Sequence, residues 1–294
     1  MPRTSETPDL PQALTGIGGT ALGVALLRAQ ESRRPDRLFD DPFAERFLAA
    51  VPDGGSPWAA DRTSGASSPF TAFHRLVADQ VAVRTRFLDD ALLAAARDGR
   101  TQVVLLASGM DTRAYRLDWP AGTTVYELDS ADVLTFKRTV LTEQGAAPRC
   151  RCVEVSADLR QDWPEALAGA GFDPGRPTAW LAEGLLYALP SEGADLLLER
   201  ITANSAPGGF LAFDHAEDTD ALRAARAQVA PELVALWQGG PGEPGPWLAE
   251  HGWAPEVEDV AEAARGFGRP APPAFDPDRP GSARGWLCTA RLTA

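Results

Sequence analysis

The chain has 294 residues, 44% of them hydrophobic and 23% charged. This ordinary globular composition can bury one sizeable core and excludes disorder, coiled coil or repeat arrays as the main architecture. The formal charge is −13, from 28 basic and 41 acidic residues, so the overall field repels a phosphate backbone and nucleic acid is not expected as a partner. No window approaches the roughly 18 consecutive apolar residues of a membrane span, and the opening MPRTSETPDLPQ lacks the basic-then-apolar order of a secretory signal. The reading is a cytoplasmic protein with no membrane partner. Cys150, Cys152 and Cys288 form no C-x-x-C pair and have only His74, His215 and His251 beside them, so no metal is expected.

Residues 1–19, polar and proline-containing, are expected to be disordered. Residues 20–98 read as a helical cap. Helical apolar spacing runs on both sides of Pro35 within 21–51, which predicts two helices and a turn. The Gly-, Ser- and Pro-rich stretch 51–70 is a long loop, either a lid or plain disorder, and a further helix covers roughly 72–97. As a lid this region offers Trp58, Phe70, Phe73 and His74 to line an acceptor, although aromatic residues pack a cap equally well.

From 99 to 294 the pattern changes to strand-length apolar runs, TQVVLLAS (101–108), TTVYELD (123–129), CRCVEVSAD (150–158), TAWLAEGLLYAL (178–189) and GFLAFDHA (209–216). Helical segments such as 132–145 and 192–205 separate them. Continuous apolar runs suit a parallel sheet covered on both faces, and the alternation predicts a Rossmann-like, doubly wound α/β fold. Beyond Asp218 follow a helix to about Trp237, a Gly/Pro linker, a short helix, a Pro-rich stretch and a closing strand at 285–292 that completes the sheet.

Ligands of such sheets gather at the carboxyl ends of the strands. The first strand exits through Ala107, Ser108 and Gly109, small residues that let backbone amides approach a ligand. The second ends at Asp129, 20 residues after Gly109, the spacing of an acid that grips a nucleoside ribose. The third ends at Asp158, which can accept the adenine amino hydrogens. A dinucleotide enzyme would prefer G-x-G-x-x-G; here the turn is A-S-G-M-D-T, with Asp111 unfavourable for pyrophosphate. The Tyr/Lys pair of short-chain dehydrogenases is also missing, because the residue four before Lys137 is Val133. No nucleophile elbow or triphosphate loop is present either. An adenosine cofactor without phosphate, S-adenosylmethionine, fits better.

At this point the chain resembles the leucine carboxyl methyltransferase-like family of class I S-adenosylmethionine-dependent methyltransferases, in its bacterial O-methyltransferase branch. The blocks that carry the resemblance are VALLRAQES (24–32), RLFDDPFAERFL (37–48), VRTRFLDD (83–90), MDTRAYRLDWP (110–120), YELD with FKRTVL (136–141), DLRQDWP (158–164) and PTAWLAEGLLYALP (177–190). It implies a mostly parallel seven-stranded sheet with an N-terminal helical cap. Arg84 resembles the family arginine that pairs with the cofactor's methionine carboxylate, with Arg86 as the substitute if the register slips. Asp129 resembles the ribose acid, and Asp158 with the backbone of Leu159 the adenine clamp. Glu183 resembles the glutamate facing the ammonium and sulfonium charges, and a carboxylate among Trp180, Leu181, Leu185 and Leu186 should have a charged partner, which a cationic ligand supplies. One departure is Ala107-Ser108-Gly109 where the family usually shows G-A-G, implying weaker rather than absent cofactor binding.

The expected activity is transfer of a methyl group to a carboxyl or phenolic oxygen of a small, polyketide-like molecule of secondary metabolism. Tyr187 and His215 are the candidates for a base. Two alternatives remain at this stage, a cofactor-binding homologue without activity and a Rossmann-like oxidoreductase. The acceptor and the oligomeric state stay open.

Overall fold

The computed structural model describes residues 17–51, 69–229 and 237–293. Helix α1 (Ile17–Ser32), α2 (Ala44–Ala49) and the long α3 (Pro69–Arg97) precede β1 (Gln102–Leu106), α4 (Arg113–Arg116) and β2 (Thr124–Asp129). Next come α5 (Ala131–Glu143), β3 (Arg151–Ser156), α6 (Trp163–Gly169), β4 (Thr178–Ala182), a 3-10 turn (Leu186–Ala188), α7 (Ser191–Ala203) and β5 (Phe210–Ala216). The chain closes with α8 (Asp220–Val229), α9 (Pro244–Glu250), β6 (Trp253–Asp259), α10 (Val260–Gly266) and β7 (Gly285–Leu292).

The seven strands form one sheet in the order β3-β2-β1-β4-β5-β7-β6. The first five are parallel, while β7 runs antiparallel to both β5 and β6. Successive side chains of a strand face opposite sides, and the apolar runs obey this on both faces. Val104, Leu106, Leu128, Trp180, Leu211 and Phe213 enter one core with Trp163 and Leu198. Val103, Leu105, Val125, Ala179, Leu181 and Ala212 enter the other, against Leu88 and Leu92 of α3. Burial on both faces is why these strands read as unbroken apolar stretches.

The N-terminal helices belong to this packing. Leu22 and Ala25 of α1 meet Phe47, Val51, Met110 and Val140, so α1 lies on α5 and on the loop after β1. Strand order reverses between β1 and β4, which opens a crevice at their carboxyl ends.

Several elements differ from the sequence reading. The apolar run 178–189 is one strand only to Ala182; Gly184, at φ +67°, turns the chain into the 3-10 segment. The closing strand does complete the sheet, filling the slot between β5 and β6. Strand β6 went unforeseen because Pro255 and the acids Glu256, Glu258 and Asp259 mask its alternation; it is an outer strand with an exposed middle, where prolines and charges are tolerated. The cap region's Trp58 lies outside the described residues, as do the side chains of Phe70, Phe73 and His74 and residues 1–16. Among the described residues no helix is long and apolar enough to cross a membrane.

Trp180 is completely buried between Trp163 and Phe172, and its indole N–H donates to Ser205 Oγ (2.9 Å). Trp180→Ala is expected to cost about 3–5 kcal/mol in urea unfolding, as large core truncations do.

Candidate active site

The loop after β1 brings the first group of predicted residues together. Ser108 N donates to Leu128 O (2.9 Å), which ties the loop to β2. Gly109 N then donates to Asp129 Oδ2 (2.8 Å), while Ser130 N donates to Oδ1 (2.7 Å). Ala107 and Gly109 both adopt positive φ, +49° and +48°. Glycine takes that conformation freely, whereas an L side chain in it costs about 1–2 kcal/mol. The departure noted at Ala107 therefore falls on a strained backbone position. Gly109 is required on a second count, because a Cβ there would lie 3.0 Å from the Ala21 side chain of α1.

Burial pushes the Asp129 carboxyl above its ordinary range, despite the two backbone donors. Each carboxylate oxygen accepts one backbone N–H and keeps a further lone pair, and two ribose hydroxyls are donors that suit them. Ser108 Oγ is buried without a partner among the described residues. This donor and acceptor set fits an adenosine-type ligand.

Beside this loop lies a buried ionic network. Glu183, just past β4, accepts from Arg28 Nη2 of α1 (2.8 Å), Arg84 Nε of α3 (3.0 Å) and Arg113 Nη1 of α4 (2.6 Å). Arg84 Nη1 also donates to Asp214 Oδ2 of β5 (3.0 Å), and Asp214 Oδ1 accepts from Gly184 N (2.6 Å). Arg113 pairs in addition with Asp111 and, through Nε, with Asp89 (2.7 Å), which Arg116 holds from its other side (2.6 Å). The side chains of Arg28, Arg84, Arg113, Glu183 and Asp214 are all less than 10% exposed. Burial opposes the charged form of Glu183, yet Arg113, Arg28 and Arg84 hold its carboxyl well below the usual carboxylate range.

These contacts change two expectations. The charged partner of Glu183 is a trio of arginines, so no cationic ligand is needed to keep it ionised. Asp111 is 5% exposed and neutralised by Arg113, which weakens the sequence argument that it repels pyrophosphate. Arg86 is no substitute for Arg84: it faces outward, bound to Asp90 Oδ2 (2.7 Å) and Leu38 O (3.1 Å). Sequence reasoning missed Arg28, Arg113 and Asp214. The signal was available, since Arg28 and Asp214 stand in the apolar runs ALGVALLRA and FLAFDHA, where a lone charge implies a buried partner.

The third group is more open. Asp158 accepts from the Arg160 backbone N (2.9 Å) and from its guanidinium (2.7 Å), which lowers its pKa chiefly through the side-chain hydrogen bonds. Leu159 is half-buried against the main core and its carbonyl faces Arg200 Nη1 (3.4 Å). Tyr187 stacks on Trp237 with centroids 3.9 Å apart, and burial, with Asp214, pushes its phenol up to about 12. His215 is 3% exposed; its Nε2 faces Pro241 O (2.9 Å), and burial lowers its pKa. Among the described residues no cluster of His, Cys, Asp or Glu could hold a metal.

The strand order β3-β2-β1-β4-β5-β7-β6, with β7 antiparallel beside β5, is that of the class I methyltransferase fold. A relative from Parafrankia sp. (strain EAN1pec), named as an S-adenosyl-L-methionine-dependent methyltransferase, is 45% identical over 264 residues, 87% of this chain and 83% of its own length. Another so named, from Mycolicibacterium smegmatis, is 50% identical over 217 residues, covering 73% and 72% of the two chains. The leucine carboxyl methyltransferase family model matches residues 21–202, and the chain belongs to that family. The fold is shared with a solved Thermobifida fusca YX protein (TM-score 0.56, 21% identity, 85% of this chain and 94% of that one). A Streptomyces avermitilis protein of the duf574 family shares it too (TM-score 0.54, 19% identity, 84% and 96%). The family and the relatives make this chain an S-adenosylmethionine-dependent methyltransferase; the oxidoreductase alternative is set aside.

Two outcomes follow. Ala107→Gly relieves the positive-φ strain but loosens the unfolded chain, and should raise unfolding stability by about 0.5–1 kcal/mol in chemical denaturation. Glu183 has a lowered folded-state pKa, so the stability it contributes is complete above its ordinary value of 4.5 and is lost as pH falls through the lowered one. Unfolding midpoints from pH 7 to 3 should therefore drop more steeply in the wild type than in Glu183→Gln, which itself should cost about 3–5 kcal/mol at neutral pH as a broken buried pair.

Proposed function

We propose that the enzyme methylates an oxygen of a small acceptor, with a carboxylate as the favoured nucleophile. The observation that carries this reading is the state of the two base candidates. Tyr187 has its phenol pKa raised to about 12, and His215 is buried with Nε2 engaged by a backbone carbonyl. Neither is offered as a free base at neutral pH, and a carboxylate acceptor needs none. A phenolic acceptor is the second reading and would have to ionise before it enters.

When bound, S-adenosylmethionine supplies a methyl group already activated by its sulfonium. Asp129 would take the ribose hydroxyls, Asp158 and the Leu159 backbone the adenine edge, and Ala107, Ser108 and Gly109 would give backbone close approach. Arg84 and Glu183 would hold the methionine half, with Arg28 completing that wall from the cap. The ion pairs let this wall keep a fixed charge pattern instead of reorganising when charge moves, the condition under which electrostatic stabilisation is most effective. Alignment of donor and acceptor then carries most of the rate, a contribution worth about 7–11 kcal/mol in well-oriented systems. A small acceptor at an intracellular site of secondary metabolism, covered by the cap, is part of the same reading.

The test is methyl transfer from methyl-labelled S-adenosylmethionine to paired aromatic acids and phenols. The account expects base-labile label, the mark of an ester, and a rate that is flat between pH 6.5 and 8.5. Base-stable label with a rate rising towards the phenol pKa would overturn the carboxylate reading.

A further inference from the structure

We propose that His215 is a positioning residue for the methionine half of the cofactor, acting through a strap, residues 237–241, that fixes the turn carrying Glu183. The inference rests on the assignment of Glu183 and Arg84 to that half.

The turn leaves β4 at Glu183 and Gly184 and doubles back through the 3-10 segment, which leaves its carbonyls to be satisfied from outside. The strap supplies the donors. Gln238 N and Gly239 N donate to Tyr187 O (2.9 and 3.3 Å), Gln238 Nε2 to Ala188 O (3.1 Å) and Gly240 N to Leu189 O (2.8 Å). Ser191 Oγ donates in return to Gly240 O (2.8 Å). Trp237 stacks on the Tyr187 ring, 3.9 Å between centroids and 19° from parallel. The Tyr187 hydroxyl in turn lies against Gly184: a Cβ on that glycine would come within 3.1 Å of it and 3.7 Å of Arg84 Nη1. Strap, Tyr187, Gly184 and the Arg84–Glu183 pair are thus in successive contact.

His215 holds the far end of the strap. A carbonyl only accepts, so Nε2 carries the proton donated to Pro241 O (2.9 Å), and Nδ1 is left buried without a partner among the described residues. The ring is fixed from the other side by Trp286, stacked at 5.7 Å and 12°. There is no slack at this anchor. Gly240 sits at φ +67°, and a Cβ on it would lie 2.6 Å from Leu186 O and 2.8 Å from His215 Cε1. A buried imidazole with one nitrogen committed to a backbone carbonyl has the geometry of a latch, not of a proton acceptor.

His215→Gln would place its side-chain amide nitrogen near the position of Nε2, and His215→Asn would place its own near that of Nδ1, so the two variants separate the roles of the ring nitrogens. Calorimetry with S-adenosylhomocysteine and with 5′-methylthioadenosine, which lacks the amino acid part, reads the methionine half alone. His215→Phe, His215→Asn and Gly240→Ala should weaken S-adenosylhomocysteine roughly tenfold, the scale of a lost buried hydrogen bond, with 5′-methylthioadenosine unchanged within twofold; His215→Gln should recover most of the loss. The latch is overturned if S-adenosylhomocysteine binds all variants equally, if His215→Gln is no better than His215→Asn, or if both ligands weaken together. Glu183→Gln serves as the control. If it spares S-adenosylhomocysteine, the placement of the methionine half falls and the latch with it; if it weakens that ligand while the His215 variants do not, only the latch falls.

Discussion

Glu183 is held by three arginines that come from α1, α3 and α4, and most of what is specific to this fold can be traced to the need to satisfy that one buried carboxylate. Taking it out of water costs several kcal/mol unless excellent geometry compensates. The compensation is drawn from parts of the chain far apart in sequence, 155 residues in the case of Arg28. Two of the arginines are shared with further acids, Arg84 with Asp214 and Arg113 with Asp111 and Asp89. The result ties the cap helices, the loop after β1 and the exits of β4 and β5 into one electrostatic unit. Such a unit is weak evidence for stability as such, since apolar packing could match it; its value is a rigid, pre-charged wall at the switch point of the sheet.

The sheet explains why that wall can exist there. Both faces of β1, β4 and β5 are apolar and covered, so polar chemistry is expelled to the strand ends. Asp129 ends β2, Glu183 follows the last residue of β4, and Asp214 lies in the carboxyl-terminal half of β5. Positive-φ residues do the corresponding backbone work: Ala107 and Gly109 bend the first exit, and Gly184 bends the fourth. Helix α1 then closes against the first exit, with Ala21 at the limit of contact for a Cβ on Gly109.

Much of this was legible in the sequence. The parallel strands announce themselves because two-sided burial demands unbroken apolar runs, and the acids at 129 and 158 follow from where those runs stop. What could not be read was partnership. Arg84 and Glu183 were identifiable as a pair of candidates, yet not that they bind each other, because the contact spans 99 residues. Arg28, Arg113 and Asp214 were passed over although a charge inside an apolar run implies a buried counter-charge. His215 could be read as a candidate base because sequence gives residue type without surroundings; Pro241 and Trp286, which it contacts, lie 26 and more residues away. Strand β6 was hidden for the opposite reason, since an outer strand is free to carry proline and acids.

The central claim is that the end of β2 and the loop after β1 hold an adenosine cofactor through Asp129. Titration calorimetry of the wild type and Asp129→Ala with S-adenosylmethionine, beside NAD, tests it most directly. The account predicts one saturable site for S-adenosylmethionine, lost in Asp129→Ala, and no heat with NAD. Undiminished binding in Asp129→Ala, or saturable binding of NAD, would contradict it.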